Sequence, residues 1–403
     1  MSYNLFLLAF VLGIGGAFQY GLQVSIINSP AEYIKNFIRE TWLKRYGSSP
    51  TEELITLMWS FIVSIYSIGG LLGSLSAGYL SVRFGRKKAM LFANIPALLS
   101  AALMGLSRLC GSFEMIIAGR IFSGSFVTAG LGLNIHLMYA GECAPRKLRG
   151  LIAITASTAI AMGKFVGFVL GLREVLGVDA LWPILMAANT LPALIQLLTL
   201  PFFPDSPRYL LIDKKDKEGC IKGEEMRNES QSIHFILKRD TCKHDHMGAT
   251  FTYFYSFQVY SYAYNVFIAA GIPPTQTHYV SLGIGITEIL STVLCVSGSS
   301  AEFNSAVMHV SFPSLESTSN EASGIKLLQI NSTGVLCPLP TEIFIQSYRP
   351  AAYVFNGFTN WIQLFILGLV FPFIVVSKAG CFVLVVSRPK ERPCWRSWRS
   401  STA

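Results

Sequence analysis

Histidine and cysteine side chains most often supply a nucleophile, a base or a metal ligand, and in this sequence they are scattered. The eight Cys include no C-x-x-C pair, and none has a His at the spacing of a metal site. His136, His234, His244 and His246 form no arrangement of nucleophile and base with a positioned carboxylate. We therefore predict that the protein is not an enzyme and that it binds no metal and no cofactor.

The basic residues, by contrast, are grouped. Segment 83–88 contains two Arg and two Lys, and segment 146–149 contains two Arg and one Lys. Cations in such groups can pair with carboxylates and with the C-terminal ends of helices. The net charge of +9 also raises the question of a nucleic-acid partner. The segments that flank the two basic groups decide between ion pairing within the protein and binding of a nucleic acid.

Both basic groups follow long apolar runs. A span needs about 20 apolar residues to cross a hydrocarbon core of about 30 Å, and the first half of the chain has six runs of roughly that length. They cover residues 5–27, 57–81, 89–107, 115–138, 151–172 and 180–203. Six such runs in a row cannot form the core of one soluble domain. The first lacks a basic start and a cleavage pattern, so we interpret it as a retained span in an integral membrane protein.

The basic groups set the orientation of these spans. Both lie in short connectors on the same side, which the positive-inside rule makes cytosolic. The loop 32–53 is then external, and the polar segment 208–248 is cytosolic. Because the cations flank a lipid bilayer, we predict no nucleic-acid partner.

The pattern weakens in the second half. Residues 248–272, 279–297 and 351–376 form further apolar runs, but the polar, Ser-rich segment 299–331 cannot cross a bilayer. We predict four parts: a six-helix bundle (1–207), a cytosolic linker (208–248), an incomplete second bundle (249–386) and a basic cytosolic tail (387–403).

Four motifs occur in order along these spans. Gly119-Arg120 lies inside the fourth span, and the other three lie at span ends: Gly78 to Lys87, Tyr139 to Gly150 with Glu142, Pro145 and Arg149, and Pro204-Asp205-Ser206-Pro207-Arg208. Together they resemble the sugar-porter branch of the major facilitator superfamily, and specifically the facilitative glucose (GLUT) transporters. Segments 18–30 and 171–177 are most similar to its fructose-transporting subgroup. The likeness returns at 270–295 and 334–374.

The resemblance implies an all-α membrane protein with the major facilitator fold, in which two helical bundles rock around a central sugar site. Here the second bundle would be incomplete, with about 9–10 spans in total instead of about 12. The implied activity is facilitative, sodium-independent transport of a hexose, fructose or glucose, by alternating access. The family default is the plasma membrane. The oligomeric state is left open.

The resemblance also implies a cytosolic cluster of ion pairs that would form when that side is closed. Its members would be Arg83, Arg86, Arg120, Glu142 and Arg149 from the first half and Glu342 and Arg349 from the second.

A sugar site needs neutral hydrogen-bonding groups and aromatic faces inside a cavity. Residues of these kinds at matching places are Gln19, Tyr20, Gln23, Ser157, Asn360 and Trp361. Ser157 stands where the family usually carries a sugar-binding Gln. Lys164 has no family precedent, and an ammonium within a span is normally functional or snorkelled to the interface. We interpret Glu288, inside the eighth run, as a helix–helix hydrogen-bonding residue.

The sequence departs from the family in three places. The sugar-contacting stretch of the seventh span is replaced by aromatic residues 251–257, the ninth span by segment 299–331, and the twelfth span is a stub. By parity, Glu342 would then lie outside, whereas the family motif lies inside. Either the segment starting at 334 is re-entrant, or run 351–376 is inserted backwards, or residues 301–312 span.

These departures leave two hypotheses for function. The first is a facilitative hexose transporter. The alternative is a non-transporting, truncated or alternatively spliced membrane protein of the same family, which would act through a binding partner if it acts at all.

Glycan mapping tests the predicted topology. Asn331 begins the sequon Asn-Ser-Thr, and Asn228 begins Asn-Glu-Ser in the predicted cytosolic linker. We expect no glycan at Asn228. Glycan occupancy at Asn331, measured as a glycosidase-sensitive mobility shift that Asn331→Gln abolishes, reports the side of that residue: a glycan there would indicate that residues 301–312 span, because the other two alternatives leave Asn331 cytosolic. A shift abolished by Asn228→Gln would contradict the cytosolic assignment of the linker.

Overall fold

The fold was analysed in a computed structural model. It describes residues 3–124, 130–144, 149–206, 209–210, 273, 276–297, 358, 361–366 and 368–370. Within these ranges the regular structure is entirely helical. The predicted linker and tail, and much of the predicted second bundle, lie outside the described residues.

Long apolar helices form the first half, close to the predicted bounds. The first span consists of α1 (Tyr3–Gly13), one turn of π-helix (Ile14–Phe18) and α2 (Gln19–Ile26); then come α3 (Ala31–Tyr46), α4 (Glu52–Phe84) and α5 (Arg86–Leu106). The fourth predicted run contains α6 (Glu114–Phe122) and α7 (Leu131–Cys143), the fifth is α8 (Arg149–Leu170), and the sixth contains α9 (Trp182–Ala187), α10 (Thr190–Thr199) and a 3-10 turn (Leu200–Phe202). From the second half, α11 (Thr277–Ser297) matches the eighth run.

Four described helical segments are long and apolar enough to cross a membrane: Leu5–Ile26, Glu52–Phe84, Arg86–Leu106 and Trp182–Phe202. Large apolar side chains such as Phe10 (65% exposed) and Leu198 (71% exposed) point outward from them. In water such a surface would be unfavourable, whereas lipid tails are as apolar as these side chains. The first half is therefore shaped for a bilayer.

Turn chemistry fixes where the helices begin and end. The Thr51 hydroxyl accepts a hydrogen bond from the Leu54 N–H (3.3 Å) and caps the start of α4. Gly85, with φ +91°, separates α4 from α5 in a conformation that L-residues rarely adopt. A β-carbon there would also lie 2.6 Å from an Asp205 carboxylate oxygen. Gly85 therefore permits both the turn and the close approach of the segment after the sixth span.

Glycines bring α2 and α8 into backbone contact. A β-carbon on Gly21 would lie 2.1 Å from the Ile160 carbonyl oxygen, and one on Gly163 would lie 2.2 Å from the Phe18 carbonyl oxygen. Small residues allow this approach, which maximises van der Waals contact where lipid provides no hydrophobic drive between helices. The first and fifth spans therefore pack as one rigid unit.

Substitution of Gly163 tests this packing. We expect Gly163→Ala to lower the thermal midpoint of the detergent-solubilised protein, because the added methyl group must push two backbones apart, at a cost of about 1–3 kcal/mol. The matched control is Gly283→Ala on α11, where a β-carbon meets no atom within 4 Å. Equal midpoints for the two variants would contradict the close approach.

Candidate transport site

An ion pair joins two predicted gating residues at the end of the first half that we predict to be cytosolic. The Arg86 guanidinium donates to the Glu142 carboxylate from Nη2 (2.9 Å) and from Nε (3.3 Å), and Nη1 donates to the Ser81 carbonyl (3.2 Å). Both side chains are largely buried. A paired, hydrogen-bonded charge is tolerated there, whereas an unpaired one is costly. The basic connector after α4 is thus tied to the end of α7.

The segment after the sixth span completes this cluster. The Ser206 hydroxyl donates to the second Glu142 oxygen, and Asp205 accepts from the Lys87 backbone N–H (3.2 Å). The Tyr209 ring lies 5.0 Å below the Arg86 guanidinium. All of these described contacts join residues of the range 1–210, so they hold the first half together.

The structure does not bring every predicted gating residue to this cluster. Arg83 is exposed and lies over the rings of Tyr79 and Phe84, at 5.6 and 5.7 Å. Arg149 begins α8, but its side chain is not among the described parts of the structure. Glu342 and Arg349 lie outside the described residues, so their place in the cluster stays a prediction.

Arg120 needs a correction. The sequence placed it in the cytosolic cluster, whereas the structure buries it in α6, two turns from the opposite, predicted external end of the span. Its guanidinium lies 4.6 Å from the Tyr66 ring and donates to the Gln23 carbonyl (3.4 Å). The expectation failed because family motifs record which residues occur together along a sequence, and not the depth of each residue in the bundle.

Two predicted sugar-site residues from different halves meet in the structure. The rings of Tyr20 and Trp361 stand edge to face, with centroids 6.2 Å apart. Tyr66, which the sequence did not single out, contacts Trp361 in the same way at 6.1 Å. Trp361 lies against Gly70, where a β-carbon would be 2.5 Å from the indole. We call Tyr20, Tyr66 and Trp361 the aromatic cluster.

Polar groups without described partners lie beside the aromatic cluster. Both side-chain polar atoms of Gln23 are buried, with no hydrogen-bond partner among the described residues. The same holds for the hydroxyl of Ser67, which follows Tyr66 and lies one turn before Gly70. Buried polar groups are normally satisfied, so an unpaired amide indicates a place for water or a polar ligand. Ser157 is also buried, on α8.

Gln19 is used differently from its neighbours. Its amide donates to Asn94 Oδ1 (3.2 Å) and accepts from Asn189 Nδ2 (3.4 Å), while Asn94 Nδ2 donates to Gln196 Oε1 (2.7 Å). This buried network links the first, third and sixth spans, and Gln19 bonds to residues of both other spans. Nothing in the sequence predicted this network, because single Asn and Gln residues in spans have many uses.

The remaining sequence predictions concern residues outside the two clusters. Asn360 and Asn331 lie outside the described residues. Lys164 and Glu288, which the sequence analysis considered separately, form an ion pair of 2.7 Å between α8 and α11.

Among the described residues, no group of three or more His, Cys, Asp or Glu side chains could hold a metal ion.

Comparisons with known proteins identify the family and the fold. The sequence model of the family described as "Sugar (and other) transporter" matches residues 8–300. The chain belongs to the sugar transporter family. The predicted resemblance to the facilitative glucose transporters of the major facilitator superfamily is confirmed.

Individual relatives support the family and the fold. The chain is similar to human "facilitated glucose transporter member 11", with 38% identity over 90% of this chain and 83% of the relative. It is also similar to rat "facilitated glucose transporter member 5", with 33% identity over 92% and 83%. The first alignment spans 412 positions, more than the 403 residues of this chain, so it contains gaps here.

Solved structures share the fold at low sequence identity. The proton:xylose symporter XylE, bound to 6-bromo-6-deoxy-D-glucose, matches with a TM-score of 0.69 and 18% sequence identity. The match covers 95% of this chain and 91% of that chain. An inward open XylE from E. coli matches with a TM-score of 0.64 and 20% sequence identity, and the match covers 93% of this chain and 90% of that chain. The predicted major facilitator fold is therefore confirmed, in an integral membrane protein.

A pair of arginine substitutions tests the cluster at the predicted cytosolic end. We expect Arg86→Ala to lower the thermal midpoint in detergent, because Glu142 loses its guanidinium donors, at a cost of about 1–3 kcal/mol. Arg83→Ala removes the same charge from an exposed position and should leave the midpoint unchanged. Equal effects of the two substitutions would contradict the cluster.

Proposed function

We propose that this member of the sugar transporter family carries a hexose, glucose or fructose, down its gradient across the plasma membrane by sodium-independent alternating access. No covalent chemistry is involved, so the protein's task is to bind the sugar between its halves and to expose it to each side in turn. The relatives named above are facilitated glucose transporters, which supports the substrate class.

The aromatic cluster is the observation that carries this proposal. Tyr20 and Tyr66 come from the first half and Trp361 from the second, so a ligand at the cluster would contact both moving parts. Aromatic faces suit the C–H surface of a sugar ring, and the unpaired Gln23 amide can bond its hydroxyls. Ser157 and Asn360 remain proposed members of the site.

The ion pair of Arg86 and Glu142 has a supporting role in the proposed cycle. Because both residues lie in the first half, the pair stays intact as the halves move and keeps that half rigid. We propose that Glu342 and Arg349 from the second half close against this cluster when the cytosolic side is shut. A network at a closing interface is less hydrated than a single exposed pair, so it can bias one state.

Sugar uptake into proteoliposomes tests the function. We expect saturable, sodium-independent uptake of radiolabelled D-glucose or D-fructose that the unlabelled sugar competes away. Uptake no greater than in protein-free vesicles would contradict the proposal. That outcome would favour the alternative of a non-transporting family member.

Substitution at the aromatic cluster tests the site. We expect Trp361→Ala to reduce uptake at low sugar concentration by about tenfold, which corresponds to about 1.4 kcal/mol of lost interaction. The control is Phe10→Ala, an aromatic residue of the first span that points outward, which should transport normally. Equal uptake by the two variants would exclude Trp361 from the site.

A further inference from the structure

The ion pair of Lys164 and Glu288 lies in a seam between the two halves. Lys164 is on α8 in the first half, Glu288 is on α11 in the second, and Lys164 Nζ donates to Glu288 Oε1 at 2.7 Å. The two side chains are only 8% and 3% exposed. A buried ion pair between parts that move relative to each other needs a mechanical explanation.

The helices of the seam run antiparallel. Tyr279 at the start of α11 donates to Glu174 just beyond the end of α8 (2.7 Å), and a β-carbon on Gly285 would meet the Phe168 ring at 3.1 Å. Glu288, farther along α11, contacts Lys164, which lies earlier on α8, as expected for antiparallel helices. From Tyr279 to Glu288 the contact extends about 14 Å along the helix, at 1.5 Å per residue.

The position of the pair assigns it to one side of the membrane. α8 starts at Arg149, next to the end of α7 that carries Glu142, and ends at Leu170 on the opposite side. Lys164 is about four turns from that start and less than two turns from the end. The pair therefore lies in the half of the seam nearer the predicted external face, and Tyr279 and Glu174 lie farther out.

Packing on the two sides of Lys164 differs. Toward the first span, the backbones interlock: a β-carbon on Gly21 or on Gly163 would lie within 2.2 Å of a carbonyl oxygen of the neighbouring helix. Toward α11, the approach is less close: a β-carbon on Gly285 would meet the Phe168 ring at 3.1 Å and the Phe165 α-carbon at 3.5 Å, and the polar contacts across the seam are made by side chains. Lys164 is therefore held rigidly by the first half, and α11 can separate from α8 without breaking a backbone interlock.

We infer that the Lys164–Glu288 ion pair is an external latch: it holds the outer ends of α8 and α11 together, and it must separate when the external side opens. The inference rests on the alternating-access mechanism proposed above. Both side chains are buried in the seam, and a buried charge that loses its partner is strongly unfavourable until water reaches it, so the intact pair favours the externally closed state. The latch adds a bias that neutral packing would not supply.

Neutralising both charges while keeping side-chain length tests the latch. The variant Lys164→Met with Glu288→Gln removes the attraction and leaves no uncompensated charge. Ser281, two turns before Glu288 on the same face of α11, is buried in the closed seam and serves as the reporter after Ser281→Cys. Its hydroxyl bonds only its own helix at Thr277 O in the described contacts, so the change is mild.

The measurement is the rate at which a membrane-impermeant maleimide, added outside, labels the Ser281→Cys reporter. Peptide mass spectrometry separates this site from the native cysteines, and the exposed Cys110 serves as the internal standard in every variant. We expect the neutral pair to label at least about fivefold faster than the native pair, the lower end of a typical coupling between two states. The swapped pair, Lys164→Glu with Glu288→Lys, should restore slow labelling.

Two outcomes would overturn the latch. One is unchanged labelling in the neutral pair, even if its thermal midpoint falls, since that result describes a static structural ion pair. The other is fast labelling in the swapped pair with Cys110 unaffected, since the attraction would then be irrelevant. Neither readout uses sugar flux, so a failure of the proposed transport function would be seen separately, in the proteoliposome assay.

Discussion

The hydrocarbon interior of a bilayer offers no hydrogen-bond partner, so each polar group on a span must be satisfied within the protein or face a wet cavity. Three groups of contacts in this chain follow from that constraint. The Gln19 amide donates to Asn94, whose own amide donates to Gln196; Arg86 pairs with Glu142, and Lys164 pairs with Glu288. Gln23 is an exception among the described residues: its amide has no hydrogen-bond partner there, and it lies where a sugar is proposed to bind.

The same contacts separate rigid from movable parts. Within the first half, glycines such as Gly163 interlock backbones, and the Arg86 cluster ties the connectors together. Between the halves, the described contacts are side chains: the aromatic cluster around Trp361 and the seam of α8 with α11. Side-chain contacts can be exchanged as two rigid bodies rock, whereas interlocked backbones cannot, and this difference underlies the proposed transport cycle.

Much of the fold could be predicted from the sequence. Apolar run length is a local property, so α4, α5, α8 and α11 appear within a few residues of the predicted bounds. Of the candidate site, Tyr20 and Trp361 were predicted and meet, and Arg86 and Glu142 were predicted and pair. The aromatic Tyr66 was missed, because nothing in its sequence neighbourhood distinguishes it from a packing residue.

The sequence by itself determined that the chain is a membrane-embedded relative of sugar transporters, because span length, basic connectors and motif order are properties of the linear sequence. Only the tertiary structure decided which charges pair. Arg83 and Arg86 lie less than one turn apart, yet one is exposed and the other is buried against Glu142. Lys164 and Glu288 are 124 residues apart and meet only through helix packing, which one-dimensional patterns do not encode.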